Sequence, residues 1–147
     1  MTSVTEDFEE LYRYLRLTHY QNLFAEIREK PGSLSATEAF SAEIIYLLGG
    51  PTLGEFAEFI GISQPNATYK VNALVSKGYI TRASVENDRR ECRLVVTGKF
   101  RDYYGNQVPD LSAITGEFTD EERAVLAKLS KRIAEGIPVS GRSVQEN

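Results

Sequence analysis

The sequence predicts a mainly α-helical chain with one small β-hairpin, and three observations carry that prediction. Ser35 with Glu38, Thr52 with Glu55 and Thr119 with Glu122 each place a hydroxyl residue three positions before a glutamate. Each pair reads as a capping box, in which the two side chains satisfy backbone N–H groups left open at a helix start. Apolar residues recur at helical spacing through most of the chain. The exception is a stretch where Tyr79, Ile80 and Thr81, and later Leu94, Val95, Val96 and Thr97, bring together the aromatic and β-branched types that favour strands.

Taken in order, a first helix is expected from Glu6 to about Arg28. It carries one apolar stripe at Phe8, Leu11, Tyr12 and Leu15 and another at Tyr14, Leu17, Phe24 and Ile27. Two stripes on one helix call for cover on two sides, and either the chain's own core or a partner copy meets that need. Pro31 and Gly32 end the helix. The helix after Ser35 is expected to turn Phe40, Ile44, Leu47 and Leu48 inward and to stop at Gly49 and Gly50. A short helix after Thr52 keeps Leu53, Phe56, Ala57 and Ile60 on one face, and Gly61 closes it. Ser63 then caps a further helix, about Gln64 to Lys77, with Ala67, Val71, Leu74 and Val75 buried. Asn66 and Tyr69 fall nearly opposite, with Pro65, Lys70 and Asn72 on the flanks.

Two helices joined by a tight glycine turn, the second with a polar outer face, make a helix-turn-helix. Strands over 79–85 and 91–97 follow, and the polar run from Glu86 to Arg90 suits the tip between them. A charged hairpin in that place is a wing. A helix from about Gly98, with Phe100, Tyr103 and Tyr104, should be stopped or kinked by Gly105 and Pro109, because proline lacks the N–H donor and clashes with the preceding turn. Val125, Leu126, Leu129 and Ile133 mark a last amphipathic helix reaching about Gly136. The expected organisation is an N-terminal helical segment 1–34, a winged helix-turn-helix lobe 35–98 and C-terminal helices 99–147, within one compact domain.

Composition narrows the function. The 147 residues are 41% hydrophobic with mixed charges, enough for a core and unlike a disordered chain. No apolar run approaches the roughly 20 residues that span a bilayer, and no leader pattern opens the sequence, so a cytoplasmic protein is expected. Cys92 and His19 are the sole cysteine and histidine, which leaves no internal disulfide and no Cys/His zinc set. No cofactor is expected. Nor does the chain show a nucleophile beside a base or a glycine-rich phosphate loop, so it is read as non-enzymatic.

The net charge of −4 is unevenly spread. Residues 63–101 hold eight basic residues against three acids, a local +5, while the remainder holds nine basic against eighteen acidic. A positive stripe on an acidic body is the footprint of a face that meets phosphates. The helix opening at Ser63 supplies what duplex recognition asks for. Gln64 and Asn66 are of the type that pairs with adenine edges, Ser63 and Thr68 reach bases or phosphates, and Pro65, Tyr69 and Lys70 complete the set. N–H groups at the helix start add a phosphate site. On the wing, Arg90 suits a narrow minor groove, Arg89 adds charge beside it, and Asp88 is placed to orient Arg90. A winged-helix module that binds protein and no nucleic acid is the alternative reading.

These pieces together resemble the MarR (multiple antibiotic resistance regulator) family. The resemblance rests on LGEFAEFIGISQPNAT at 53–68, LVSKGYI at 74–80, DRR at 88–90, LVVTG at 94–98 and FTDEER at 118–123, in that order and spacing. It implies a homodimer joined by helices from both termini, which flank a winged helix-turn-helix that binds a roughly palindromic operator in double-stranded DNA, more often as a repressor. Asp88 and Arg90 match the family's wing aspartate and arginine. Tyr69 stands where many members place an arginine, so base preference does not carry over. Gly105 and Pro109 interrupt the family's long helix after the wing. The resemblance also implies a small aromatic or amphipathic effector, for which Tyr12, Tyr14, Tyr20, Phe24 and Phe40 are the candidate lining. Thiol-sensing members use a cysteine in the first helix; this chain has none there, and Cys92 is expected to serve packing.

Overall fold

The computed structural model describes residues 3–27, 33–85, 88–105 and 109–139. Those up to 105 belong to one compact unit and residues 109–139 to a second.

The first unit opens with α1, Val4–Ile27. Ser3 and Glu6 form a capping box at its start, with Glu6 N–H donating to Ser3 Oγ at 3.2 Å and Ser3 N–H donating to the Glu6 carboxylate at 2.7 Å. Among the residues of α1 whose side chains are described, Leu23 alone is buried; of the expected stripes Phe8, Leu11, Tyr12, Tyr14, Leu17 and Phe24 are exposed and Leu15 is half-buried. The expected stop at Pro31 and Gly32 lies outside the described residues.

Helix α2, Ala36–Leu47, begins on the expected Ser35 and Glu38 box. Its inner face differs from expectation. Ala39, Ser41, Ala42 and Ile45 are buried, whereas Phe40 and Leu47 face outward at 40% and 57% exposure. Small residues on the inner side let α2 lie close to its neighbours, which leaves the bulky Phe40 and Leu47 no room there.

Helix α3, Leu53–Ile60, starts at Thr52, whose Oγ1 accepts from Glu55 N–H at 3.1 Å. Only that half of the expected box forms, because the Glu55 carboxylate turns to Arg93 at 3.5 Å. Gly61 closes α3 at φ +71°, a left-handed conformation that costs a side-chain-bearing residue but not glycine. Ile62 follows, and then Ser63 caps α4, Gln64–Ser76, accepting from Asn66 N–H at 3.3 Å. The buried face of α4 is Ala67, Val71 and Leu74, as its spacing requires.

Strands β1, Ile80–Val85, and β2, Asp88–Val96, pair antiparallel, with Ile80 opposite Val96 and a register shift between Ser84 and Val85. β2 therefore begins at Asp88, three residues before the expected Glu91, and Asp88 pairs with Val85 across the end of the hairpin. Backbone pairing does not depend on side-chain polarity, so the polar run could not reveal this extension. A short third edge was not foreseen: Thr52 bridges to Arg93, and Leu94 N–H donates to Pro51 O at 2.8 Å. Cys92 pairs with Ser84 and is exposed, which corrects its expected packing role. It shares a strand face with the buried Leu94 and Val96 but sits farther along the hairpin, past the core.

Helix α5, Gly98–Tyr104, stops at Gly105 as expected. Phe100 is fully buried, and its ring meets Tyr46 and Tyr104, so an aromatic cluster fastens α5 to α2. The core of this unit is Phe56, Phe100, Ile45, Leu74, Ile80 and Leu94 with their neighbours.

The second unit contains α6, Ser112–Thr115, a single turn that the sequence reading did not anticipate, and α7, Asp120–Gly136. The expected Thr119 and Glu122 box starts α7, and three acids in its first turn suit the positive end of the helix dipole. Arg123 donates to Thr115 O at 3.1 Å and also reaches Phe118 O and Asp120, tying the two helices together. Val125, Leu126, Leu129 and Ile133 are exposed along α7.

Candidate functional site

The site is the outer side of α4 and the hairpin that follows it. With Ala67, Val71 and Leu74 sealed against the core, helical geometry puts Pro65, Asn66, Tyr69, Asn72 and Ser76 outward, and all are exposed. Tyr69 is the most projecting, at 79% exposure. Ser63 is exposed as well, although its hydroxyl is used in the cap.

Of the other expected members of the recognition set, Gln64 is exposed and Thr68 and Lys70 are half-buried. Thr68 is half-buried and donates its hydroxyl to Gln64 O at 3.0 Å. The Gln64 amide lies over α3, with Nε2 3.5 Å from where a Cβ on Gly54 would sit. Lys70 is half-buried and, with Lys77 and Glu38, lines a cleft of about 390 Å³ between α4 and α2.

Several cations of the positive stripe have partners within the chain. Lys77 Nζ donates to Glu38 Oε1 at 2.9 Å and to Ser33 O at 3.2 Å. Burial of Glu38 favours its protonated form, but the hydrogen bonds from Lys77 and Ser35 and the Lys77 charge outweigh it and hold the carboxyl below its ordinary value. Lys99 donates to Lys77 O at 2.8 Å, a cation at the C-terminal end of α4, and covers the Tyr79 ring. Arg93 joins Glu55, holding β2 against α3. Arg82 on β1 reaches Asn72 on α4 at 2.6 Å. Arg82 is one of the eight basic residues of the 63–101 stripe, and its place beside α4 follows from the strand pairing and not from the charge count.

Asp88, Arg89 and Arg90 are placed by the β2 backbone on the hairpin, while their side chains lie outside the described residues, as do Glu86 and Asn87 at the expected tip.

Residues 34–92, which span α2 through the first half of β2, match the MarR family model. Through this lobe the chain is similar to the MarR family. Among solved structures, the chain is similar to a transcriptional regulator from Thermotoga maritima, at 20% identity over 89% of this chain and 91% of that one, with a TM-score of 0.57. A MarR family protein from Bacillus stearothermophilus gives 18% identity, 89% and 93% coverage and a TM-score of 0.57. A mutant MarR from E. coli, complexed with operator DNA, gives 18%, 90%, 99% and 0.50 in the same order. These likenesses establish a shared winged-helix fold.

The MarR resemblance also drew attention to five aromatic residues outside this lobe's outer face. Tyr12 and Tyr20 share one side of α1, bridged by Arg16 at 5.4 and 6.0 Å from their rings, and line a surface depression with Leu17. Tyr14 lies elsewhere on α1 under Arg13, and Phe24 and Phe40 are exposed and take no part in that depression. One polar link joins α1 to α2, His19 Nε2 to the Glu43 carboxylate at 3.4 Å. Burial lifts the Glu43 carboxyl above its ordinary value, against the pull of His19. Among the described residues no helix is long and apolar enough to cross a membrane.

Proposed function

We propose that the chain is a homodimeric, sequence-specific DNA-binding regulator of the cytoplasm that represses by occupying a roughly palindromic operator. Each protomer lays α4 in the major groove and its β1–β2 hairpin toward the neighbouring minor groove. The observation that carries this reading is the outer side of α4, where Pro65, Asn66, Tyr69 and Asn72 stand exposed and polar or aromatic beside the hairpin holding Asp88, Arg89 and Arg90. Ser63 and the N–H groups after it supply a phosphate contact, with Gln64, Thr68 and Lys70 on the flanks.

The dimer rests on uncovered apolar residues near both ends: Phe8, Leu11 and Leu17 on α1, and Leu126, Leu129 and Ile133 on α7. Patches of this kind on a small protein mark association sites, and a symmetric pair is the commonest way to cover them. A small aromatic or amphipathic effector bound among Tyr12, Tyr14, Tyr20, Phe24 and Phe40 would control operator binding from the dimer region.

The test is sedimentation together with titration of mixed-sequence duplex at low salt. A dimer whose DNA affinity falls steeply with added salt is the expected result, since each neutralised phosphate releases counterions. A monomer that binds no duplex at low salt overturns the reading, and a protein-interaction module takes its place.

A further inference from the structure

Resting on that reading, we infer that the DNA beneath the first two turns of α4 is built of A·T pairs: an adenine meets Asn66 and a thymine methyl meets Tyr69. The outer side of α4 lacks positive charge. Gln64, Pro65, Asn66, Tyr69, Asn72 and Ser76 are the exposed residues of the helix, and none is a cation. Guanine is recognised most often by arginine or lysine donating to O6 and N7. Of the lysines of the helix region, Lys77 is paired with Glu38 and Lys70 is half-buried, off the exposed strip. Arg82 is bound to Asn72, in the second half of the helix.

What remains has the opposite preference. An asparagine amide presents a donor and an acceptor in the spacing of adenine N7 and N6, and Asn66 has its amide free of the cap, which uses only its backbone N–H. Tyr69 follows one turn later on the same side, at 79% exposure, and offers a broad apolar ring to the groove. The major-groove feature such a ring favours is the thymine C5 methyl. Pro65, one residue before Asn66, adds a second apolar contact of the same kind.

Selection from randomised duplexes, followed by affinity measurement on atom-deleted bases, tests this. Half-sites enriched in A·T at the α4 positions are expected. Replacing the Asn66-facing adenine by 7-deazaadenine, or the Tyr69-facing thymine by deoxyuridine, should weaken binding by roughly five- to 150-fold for a bidentate pair and less for a methyl contact. Asn66→Ala should abolish the 7-deazaadenine effect while leaving the deoxyuridine effect, which a change in folding would not do. Enrichment of guanine at these positions, with sensitivity to 7-deazaguanine, overturns the inference and leaves DNA binding standing. Failure to bind any duplex at low salt removes both.

Discussion

Arg82 of β1 donates to Asn72 Oδ1 of α4 at 2.6 Å, so the wing and the recognition helix are fastened by a side-chain pair on the outer side of the lobe. Both residues are exposed, and such a pair contributes little to stability, on the order of 1 kcal/mol or less. Its consequence is geometric. It sets β1 beside α4, and in the proposed docking it places a cation where a phosphate would pass.

Arg82→Ala is therefore expected to leave the urea midpoint nearly unchanged and to weaken duplex binding across all sequences. The slope of log affinity against log salt should fall by about 1, the signature of one lost phosphate contact. Unchanged affinity and slope would confine Arg82 to a structural tie.

Acid stability should depend on Glu38. Its carboxyl titrates below the ordinary value in the folded chain, so the folded state holds that proton less tightly than the unfolded state does. The stability it contributes is complete above the unfolded carboxyl range, about pH 4.3, and is lost as pH falls through the lowered value. Glu38→Gln should reduce stability at neutral pH, by about 1 to 2 kcal/mol, and flatten the acid limb of the profile. Lys77 stays partly exposed, which keeps the loss below that of a buried pair. Urea midpoints from about pH 3 to about pH 7 measure it.

Glu43 has the opposite sign. Burial lifts its carboxyl, with His19 pulling the other way, so the folded state holds this proton more tightly. The associated stability is present below the ordinary range and lost as pH rises through the lifted value. Glu43→Gln should then be better tolerated at neutral pH than in acid, the reverse of Glu38→Gln, in the same set of melts.

The helix starts and the order of elements were legible because caps and glycines act locally. Ser35, Ser63 and Thr119 each stand at the helix start expected of them, and Gly61 and Gly105 at the stops. The inner side of α2 was not legible, because a count of large apolar residues favours Phe40 and Leu47 while packing favoured Ala39 and Ala42. The charge count had the same weakness. It found the positive stripe, yet could not tell that Lys77, Arg93 and Lys99 are held within the chain. The short edge made by Pro51 and Thr52 has no periodicity to read.

Core and surface should separate cleanly in this lobe. Phe56 is fully buried between the helix-turn-helix and the sheet, and Phe56→Ala should cost about 3 to 5 kcal/mol. Tyr69→Ala removes a ring at 79% exposure and should move stability by no more than about 0.5 kcal/mol. Circular dichroism melts of both variants give the comparison. A large loss for Tyr69→Ala would mean that the ring packs against the body and is not presented to DNA.

The dimer makes the strongest demand on α7. Leu126, Leu129 and Ile133 are 44%, 44% and 42% exposed at helical spacing, on a helix whose own chain buries none of its residues. Leu129→Glu puts a charge in the middle of that stripe, so its desolvation opposes association. Sedimentation should show monomers, with the helical signal of the lobe retained. Two half-sites bound by joined lobes gain from effective concentration, so the separated lobe should bind a full operator about 100-fold or more weaker, while its binding to a single half-site changes little. A Leu129→Glu protein that remains dimeric would take α7 out of the interface and leave the exposed residues of α1 to make it alone.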